Sequence, residues 1–194
     1  MQNIQEIMEQ MENLKKRLSI ELQKKQEEFL YKIKGRKVRF DKATREYHKT
    51  LITNVRTYLY RAGILKIIIA PLVWFCIIPA FFLDLVVMVF QIICFPVYSI
   101  PKVNRSDYIV LDRHSLKYLN AIEKVNCVYC GYFNGLMGFV REVGGRAEQH
   151  WCPIKHARKV GSTHSRYNKF LDYGDADSYK KDLERIKQDF EDLD

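Results

Sequence analysis

Gly63–Ile100 reads GILKIIIAPLVWFCIIPAFFLDLVVMVFQIICFPVYSI, and in these 38 residues only Lys66 and Asp84 carry charge. A helix crossing the hydrocarbon of a bilayer needs about 20 residues, so the stretch is too long for one upright span. Pro79 and Asp84 are the breaks nearest its middle. A turn there leaves residues 64–82 and 85–100, roughly 28 and 24 Å of helix. The expected fold is therefore mainly α: a membrane-embedded helical hairpin, spanning or re-entrant, with an N-terminal helix before it and a small C-terminal helical metal-binding domain after it. A single span is the first alternative. A buried helical pair in a soluble protein is the second, and the missing polar face speaks against it. Asp84 admits two readings, a carboxylate kept in lipid for function or a turn residue reaching the headgroups. The turn is the expectation.

The 194-residue chain is 47% hydrophobic and 28% charged, with a mean hydropathy of −0.27. That composition excludes wholesale disorder, and the average conceals the split between the apolar stretch and the rest. The net charge of +9 is uneven: residues 1–62 carry 15 Lys/Arg against 8 Asp/Glu, and residues 101–194 carry 16 against 14. Arg56, Arg61 and Lys66 mark one edge of the apolar stretch, and Lys102 and Arg105 the other. Basic residues at both edges are expected of a hairpin whose two termini face the cytoplasm, and they suit anionic lipid. No nucleic-acid module is recognisable, so no nucleic-acid partner is expected. Met1–Lys34 is charged throughout, unlike a signal peptide. The expected location is the inner (cytoplasmic) membrane, with the lipid membrane as partner.

Three regions follow: 1–62, 63–100 and 101–194. In the first, Ile4, Ile7, Met8, Met11, Leu14, Leu18, Leu22 and Phe29 recur at helical spacing. Ile4, Met11 and Leu18 fall seven apart, with Ile7 and Leu14 between them, before Glu21 and Lys25 break the heptad. Residues 3–30 thus fit either a short self-association coiled coil or an amphipathic helix packed on its own protein. Tyr31–Phe40 reads as a small hairpin turning at Lys34-Gly35-Arg36-Lys37. Asp41 caps a helix expected to run to about Ala62. Beyond Pro101, the expectations are a short strand at Tyr108–Leu111 and a helix near Ser115–Val125. A further helix over about Asn134–Glu148 follows, then loop over 161–177, and a last helix capped by Asp177 or Ser178.

Three of the five Cys lie in the C-terminal region, in Cys127-Val128-Tyr129-Cys130-Gly131 and Cys152-Pro153-Ile154-Lys155-His156. Five Cys are too few for a disulfide scaffold. The C-x-x-C spacing lets one tight turn aim two thiolates at a single ion, and Gly131 relieves the backbone beside it. Cys152 and His156, four apart, share a face if helical. Cys127, Cys130, Cys152 and His156 therefore form a candidate Cys₃His set for one Zn²⁺ or iron per chain; soft sulfur ligands exclude Mg²⁺ and Ca²⁺. His150 is the substitute fourth ligand. Inert buried thiols and a redox dithiol are the competing readings. Cys76 and Cys94, inside the apolar stretch, read as packing residues.

C-V-Y-C-G-Y resembles the first metal knuckle of rubredoxins, and W-C-P the start of their second. Lys155 stands where the second rubredoxin knuckle places a fourth Cys, which leaves structural Zn²⁺ as plausible as iron. A longer resemblance covers most of the chain. The apolar stretch, I-P-K-V, D-Y-I-V-L-D-R-H, Y-L-N-A-I-E-K-V-N-C-V-Y-C-G-Y-F-N-G and W-C-P-I-K-H-A-R are similar to an uncharacterised family of small bacterial membrane proteins. That resemblance implies membrane location and a shared Cys/His cluster. It supplies no reaction.

Asp112-Arg113-His114, Asn120, Glu123, Asn126, Glu142 and Glu148 surround the Cys motifs in sequence. They read as a hydrogen-bonded network around the ligands rather than an acid/base pair. His48 and His164 have no motif about them and are expected at the surface. No P-loop, Rossmann fingerprint, G-x-S-x-G or H-E-x-x-H occurs. The expected role is non-enzymatic: a membrane-anchored protein with a structural Cys₃His site and an interaction or scaffold function. The alternative is a membrane redox protein or metalloenzyme built on a rubredoxin-like site.

Overall fold

The computed structural model describes residues 4–29, 31–34 and 37–193. It divides into two compact units, one made of Met1–Arg61 with Asp112–Lys124, the other of Ala62–Leu111 with Val125–Asp194.

In the first unit, α1 (Ile4–Glu28) is a single helix. Met11, Leu14, Leu18 and Leu22 along it are all more than half exposed, so this apolar row is not part of a core among the described residues. The expected hairpin forms as β1 (Tyr31–Lys34) and β2 (Lys37–Phe40), with Tyr31 opposite Phe40 and Ile33 opposite Val38. Part of its turn lies outside the described residues. Asp41 caps α2 (Lys42–Thr50) by accepting from the Ala43 N–H. The helix expected to reach Ala62 stops there instead. Leu51 closes α2, and Asn54 starts α3 (Val55–Ala62) by accepting from the Arg56 N–H at 3.1 Å. His48, expected at the surface, is half-buried and meets Phe40 and Tyr118 edge-on, each with centroids 5.1 Å apart.

The second unit opens with α4 (Ile64–Phe75) and α5 (Ile77–Val97). The break falls at Cys76, not at Asp84. Pro79 has no N–H for the Phe75 carbonyl and its ring crowds that carbonyl, so the ladder is interrupted one turn earlier and Pro79 sits in the first turn of α5. Asp84 lies inside unbroken helix, and the turn expected there is absent. Together α4 and α5 form the one helical stretch, Ile64–Val97, long and apolar enough to cross a membrane among the described residues. At its far end the Ile100 N–H returns to the Phe95 carbonyl at 2.9 Å while Ser99 takes φ +55°. This is a left-handed helix stop of the kind glycine usually supplies. Its hydrophobic pair, Phe95 and Ile100, is buried.

Residues 101–111 form no ladder. The expected strand at Tyr108–Leu111 does not form: Tyr108 closes a 3-10 turn over Arg105–Asp107, and the irregular segment that follows lies along α6 (Ala121–Trp151). That helix replaces the two expected ones. It begins at a reciprocal cap in which Asn120 Oδ1 accepts from the Glu123 N–H at 3.0 Å and Glu123 accepts from the Asn120 N–H at 2.9 Å. Gly131, Gly135 and Gly138 do not interrupt α6, because they lie on one face under residues 108–111. A Cβ on Gly135 would stand 2.5 Å from the Tyr108 carbonyl oxygen and 2.8 Å from Ile109 Cα. The lost helix propensity is exchanged for close backbone packing.

The core of this unit joins Ala80 and Phe95 of α5, Ile100 and Val103, Leu136, Phe139 and Val143 of α6, and Phe190. After α6, Ile154 and Leu171 form an isolated bridge, Tyr167–Lys169 makes one 3-10 turn, and α7 (Ala176–Gln188) follows. Its cap is Asp175, which accepts from the Ser178 N–H, two residues before the expected Asp177.

Three substitutions test this account. Gly135→Ala is expected to destabilise the chain by on the order of 1–3 kcal/mol, because backbone rather than a flexible side chain must move. Gly144, with nothing within 4 Å of a built Cβ, should gain about 0.5–1 kcal/mol as Ala. Ser99→Gly should relieve the positive φ and also stabilise. Thermal or denaturant unfolding in detergent reads all three.

Candidate functional site

Helix α5 is built inside out relative to a soluble helix. Its covered face carries Ala80, Asp84, Gln91 and Phe95. Its outer face carries Phe81, Phe82, Leu85, Val86, Val89, Ile92, Ile93 and Val97, all exposed. Helix α4 is exposed on every side, with Ile64 at 78%, Ile68 at 68% and Leu72 at 70%. Only 11% of the most apolar window in Ile64–Val97 is buried, and its mean hydropathy is 2.5. A surface of this kind is a contact surface for something apolar.

The polar groups beneath it are closed off. Arg105 grips Asp84 with two hydrogen bonds, Nε to Oδ1 at 3.0 Å and a second guanidinium nitrogen to Oδ2 at 2.6 Å. The Tyr132 hydroxyl donates to Oδ2 at 2.9 Å. Bidentate pairing is the strongest form of this contact. Gln91 accepts from the Val103 N–H at 3.1 Å. Both contacts fix the segment that connects α5 to α6.

At the bend, the Val73 carbonyl accepts from the Cys76 N–H and also from the Tyr129 hydroxyl at 2.9 Å. Trp74 Nε1 donates to Asn126 at 3.2 Å. These two side chains of α6 tie down the end of α4. They border an open apolar groove of about 400 Å³ lined by Trp74, Ile77, Leu111, Val125, Val128, Tyr129 and Tyr132.

The four proposed metal ligands are not brought together. Cys127 and Cys130 sit within α6 instead of on a knuckle turn, because the capped helix runs straight through them. Cys152 follows the last residue of α6, so about 30 Å of helix separates it from Cys130. His156 lies beyond the Ile154–Leu171 bridge, stacked on Tyr167, whose hydroxyl accepts from the His156 N–H at 2.8 Å. His150, the substitute ligand, is packed between Tyr98 and Trp151. Among the described residues no group of three His, Cys, Asp or Glu side chains is placed to hold a metal ion.

A second polar cluster takes in Glu142 and Glu148, both expected in a hydrogen-bonded network, with partners that the sequence does not indicate. Glu142 accepts from Arg146 at 3.1 Å and from Ser165 at 2.9 Å, while Arg146 also donates to the Pro101 and Lys102 carbonyls. Gln149, fully buried, donates to the Ile186 and Asp189 carbonyls and accepts from Arg166 Nε at 2.6 Å. His164 is not a surface residue. It lies over Gly145, where a Cβ would collide with its ring. Its Nδ1 accepts from the Arg166 N–H, which leaves Nε2 to donate to Glu148 at 3.1 Å. Arg166 and Lys169 both reach Asp192 at 2.7 Å. The Arg166 hydrogen bond, opposed by burial and reinforced by Lys169, holds the Asp192 carboxyl well below the usual carboxylate range. Sequence offered one hint of these partners, the Gly144-Gly145 pair inside a helix. Arg166 gave none.

Comparison with protein-family models, curated proteins and solved structures finds no match for this chain.

Arg105→Met should destabilise by on the order of 3 kcal/mol, since it strands a buried carboxylate, whereas Asp84→Leu with Arg105→Leu should recover most of that loss. Cys127→Ser with Cys130→Ser should leave helix content unchanged and stability within about 1 kcal/mol of the parent. Loss of folding in that variant would restore the knuckle reading. Because Asp192 is depressed in the folded state, its stabilisation is complete above the unfolded carboxylate range and is lost as pH falls below about 4. Asp192→Asn should therefore make the acid limb of a stability–pH curve shallower.

Proposed function

We propose that the chain is a membrane-anchored interaction protein without catalytic activity, held to the bilayer by α4 and the outer face of α5. The carrying observation is the inverted helix α5, with Asp84 and Gln91 inside and phenylalanine, leucine, isoleucine and valine outside. In water such an arrangement exposes the costly face; in lipid it exposes the favourable one. The carboxylates nearest the apolar surface support anchoring over acid–base chemistry, since Asp84 is held by Arg105 and Tyr132, and Glu142 by Arg146 and Ser165. Metal binding by Cys127, Cys130, Cys152 and His156 does not enter this reading.

The exposed row Met11, Leu14, Leu18 and Leu22 of α1 supports the interaction half, as a stripe open to a helical partner or a second copy. Arg56, Arg61 and Lys102 support placement of both termini on the cytoplasmic face of the inner membrane. Arg105 does not count among these charges, because its guanidinium is taken by Asp84.

Expression followed by high-salt and carbonate washing tests the reading. The chain is expected to stay in the membrane pellet, and quantitative release into the soluble fraction would overturn the proposal.

A further inference from the structure

The geometry points to a one-leaflet attachment: α4 and α5 lie in the plane of the membrane, and the far leaflet is untouched. This inference rests on the anchoring proposed above and concerns how the anchor sits.

The first argument is length. Ile64–Val97 is 34 residues, about 51 Å of helix against about 30 Å of hydrocarbon. Unbent, it would need a tilt of about 54° to cross with both ends at the interfaces, beyond the roughly 0–40° that spanning helices adopt; with the break at Cys76, α5 alone is about 32 Å long, so what covers its other side decides the orientation.

The second is the distribution of apolar surface around the helix. A spanning segment must be apolar on every side that meets lipid, over about 20 residues. Only the stretch before the first tie to α6, at Val73 and Trp74, is bare on every side. That stretch, Ile64–Leu72, is about 13 Å long. From there on the apolar exposure is a single stripe. The opposite side of α5 is occupied by the polar stretch around Asn104, Arg105 and Asp107, gripping Asp84 near the middle of the helix.

The third is the backbone beside it. Tyr108 closes the 3-10 turn Arg105–Asp107, and Ile109–Leu111 beyond it are irregular and outside any ladder, with Val110 and Leu111 exposed. Residues 108–111 lie over Gly131 and Gly135, on either side of Tyr132, which bonds to Asp84. Upright insertion centred on this helix would carry that open backbone to the bilayer midplane, where irregular lipid-exposed chain is not tolerated. An in-plane helix keeps it on the water side. Lys66, on exposed α4, then reaches the headgroups by its own length.

Depth-dependent fluorescence quenching decides the matter. The full chain carries two Trp; in a Trp74→Phe, Trp151→Phe background, single reporters are placed on the exposed face by Ile68→Trp, Phe82→Trp and Ile93→Trp. Each is reconstituted in vesicles of equimolar phosphatidylcholine and phosphatidylglycerol, with spin-labelled lipids quenching at shallow or deep acyl positions, and flotation confirms attachment. In-plane attachment predicts one common depth, about 5–10 Å below the headgroups, with shallow quenching stronger at all three positions. A peaked profile, deepest at Phe82→Trp, would mean a span and overturn the inference while leaving the anchoring intact. Flotation without quenching would show the face covered by a second copy, which also overturns it. Failure to float would remove the anchoring itself. Circular dichroism matching the parent establishes that each variant is folded, and native Trp74 against a Trp151→Phe background gives a fourth depth at an unmutated position.

Discussion

The bidentate grip of Arg105 on Asp84 is the constraint on which the second unit depends. It fixes a polar anchor in the covered face of an otherwise apolar helix, so that face cannot rotate outward. It also pins the segment after Ile100 against α5, which places Tyr108 over the α6 glycines and lets Leu136, Phe139 and Val143 close on Phe95. A pair of this kind gives little net stability over well-packed hydrocarbon. Its contribution is to choose which face of α5 is inside, a choice that hydrophobic burial alone cannot make for a helix apolar all round.

Legibility in the sequence followed how local each cause is. The β hairpin and the Asp41 cap depend on neighbouring residues and form where read, and the apolar stretch is helical, but as one long bent helix without the turn expected at Asp84. The Asn120-x-x-Glu123 box is equally local, and it sets the start of α6. Recognising it would have started α6 in the right place and carried it through the Cys motif. The bend could also have been read, since Pro79 restricts the preceding turn whereas Asp84 merely tolerates one. Asp84 was misplaced because its partner is 21 residues away and no spacing rule pairs them. The glycines of α6 look like breakers until the segment that lies on them is known. The same holds for Gly145 under His164.

The Cys₃His expectation shows the limit of motif spacing. On a knuckle turn C-x-x-C aims two thiolates at one ion; within α6 it places both on one side of a helix whose remaining length lies between them and Cys152. The interval between the two halves is filled by continuous helix, which converts closeness in pattern into distance in space. Spacing rules carry an assumption about the intervening backbone, and here that assumption is what fails.

The order in which the chain leaves the ribosome gives the two-faced helix α5 a kinetic meaning. Phe95 emerges about 95 residues before Phe190, which at ~5–20 residues per second is roughly 5–20 s. Until α6 and the C-terminal residues arrive, α5 has no cover for either face, and Asp84 has only Arg105 for company. A bilayer is the surface on which such a nascent helix can wait without aggregating. On this view lipid acts before the fold is complete, as a template that holds one side of α5 while the rest of the unit is made and closes over the other.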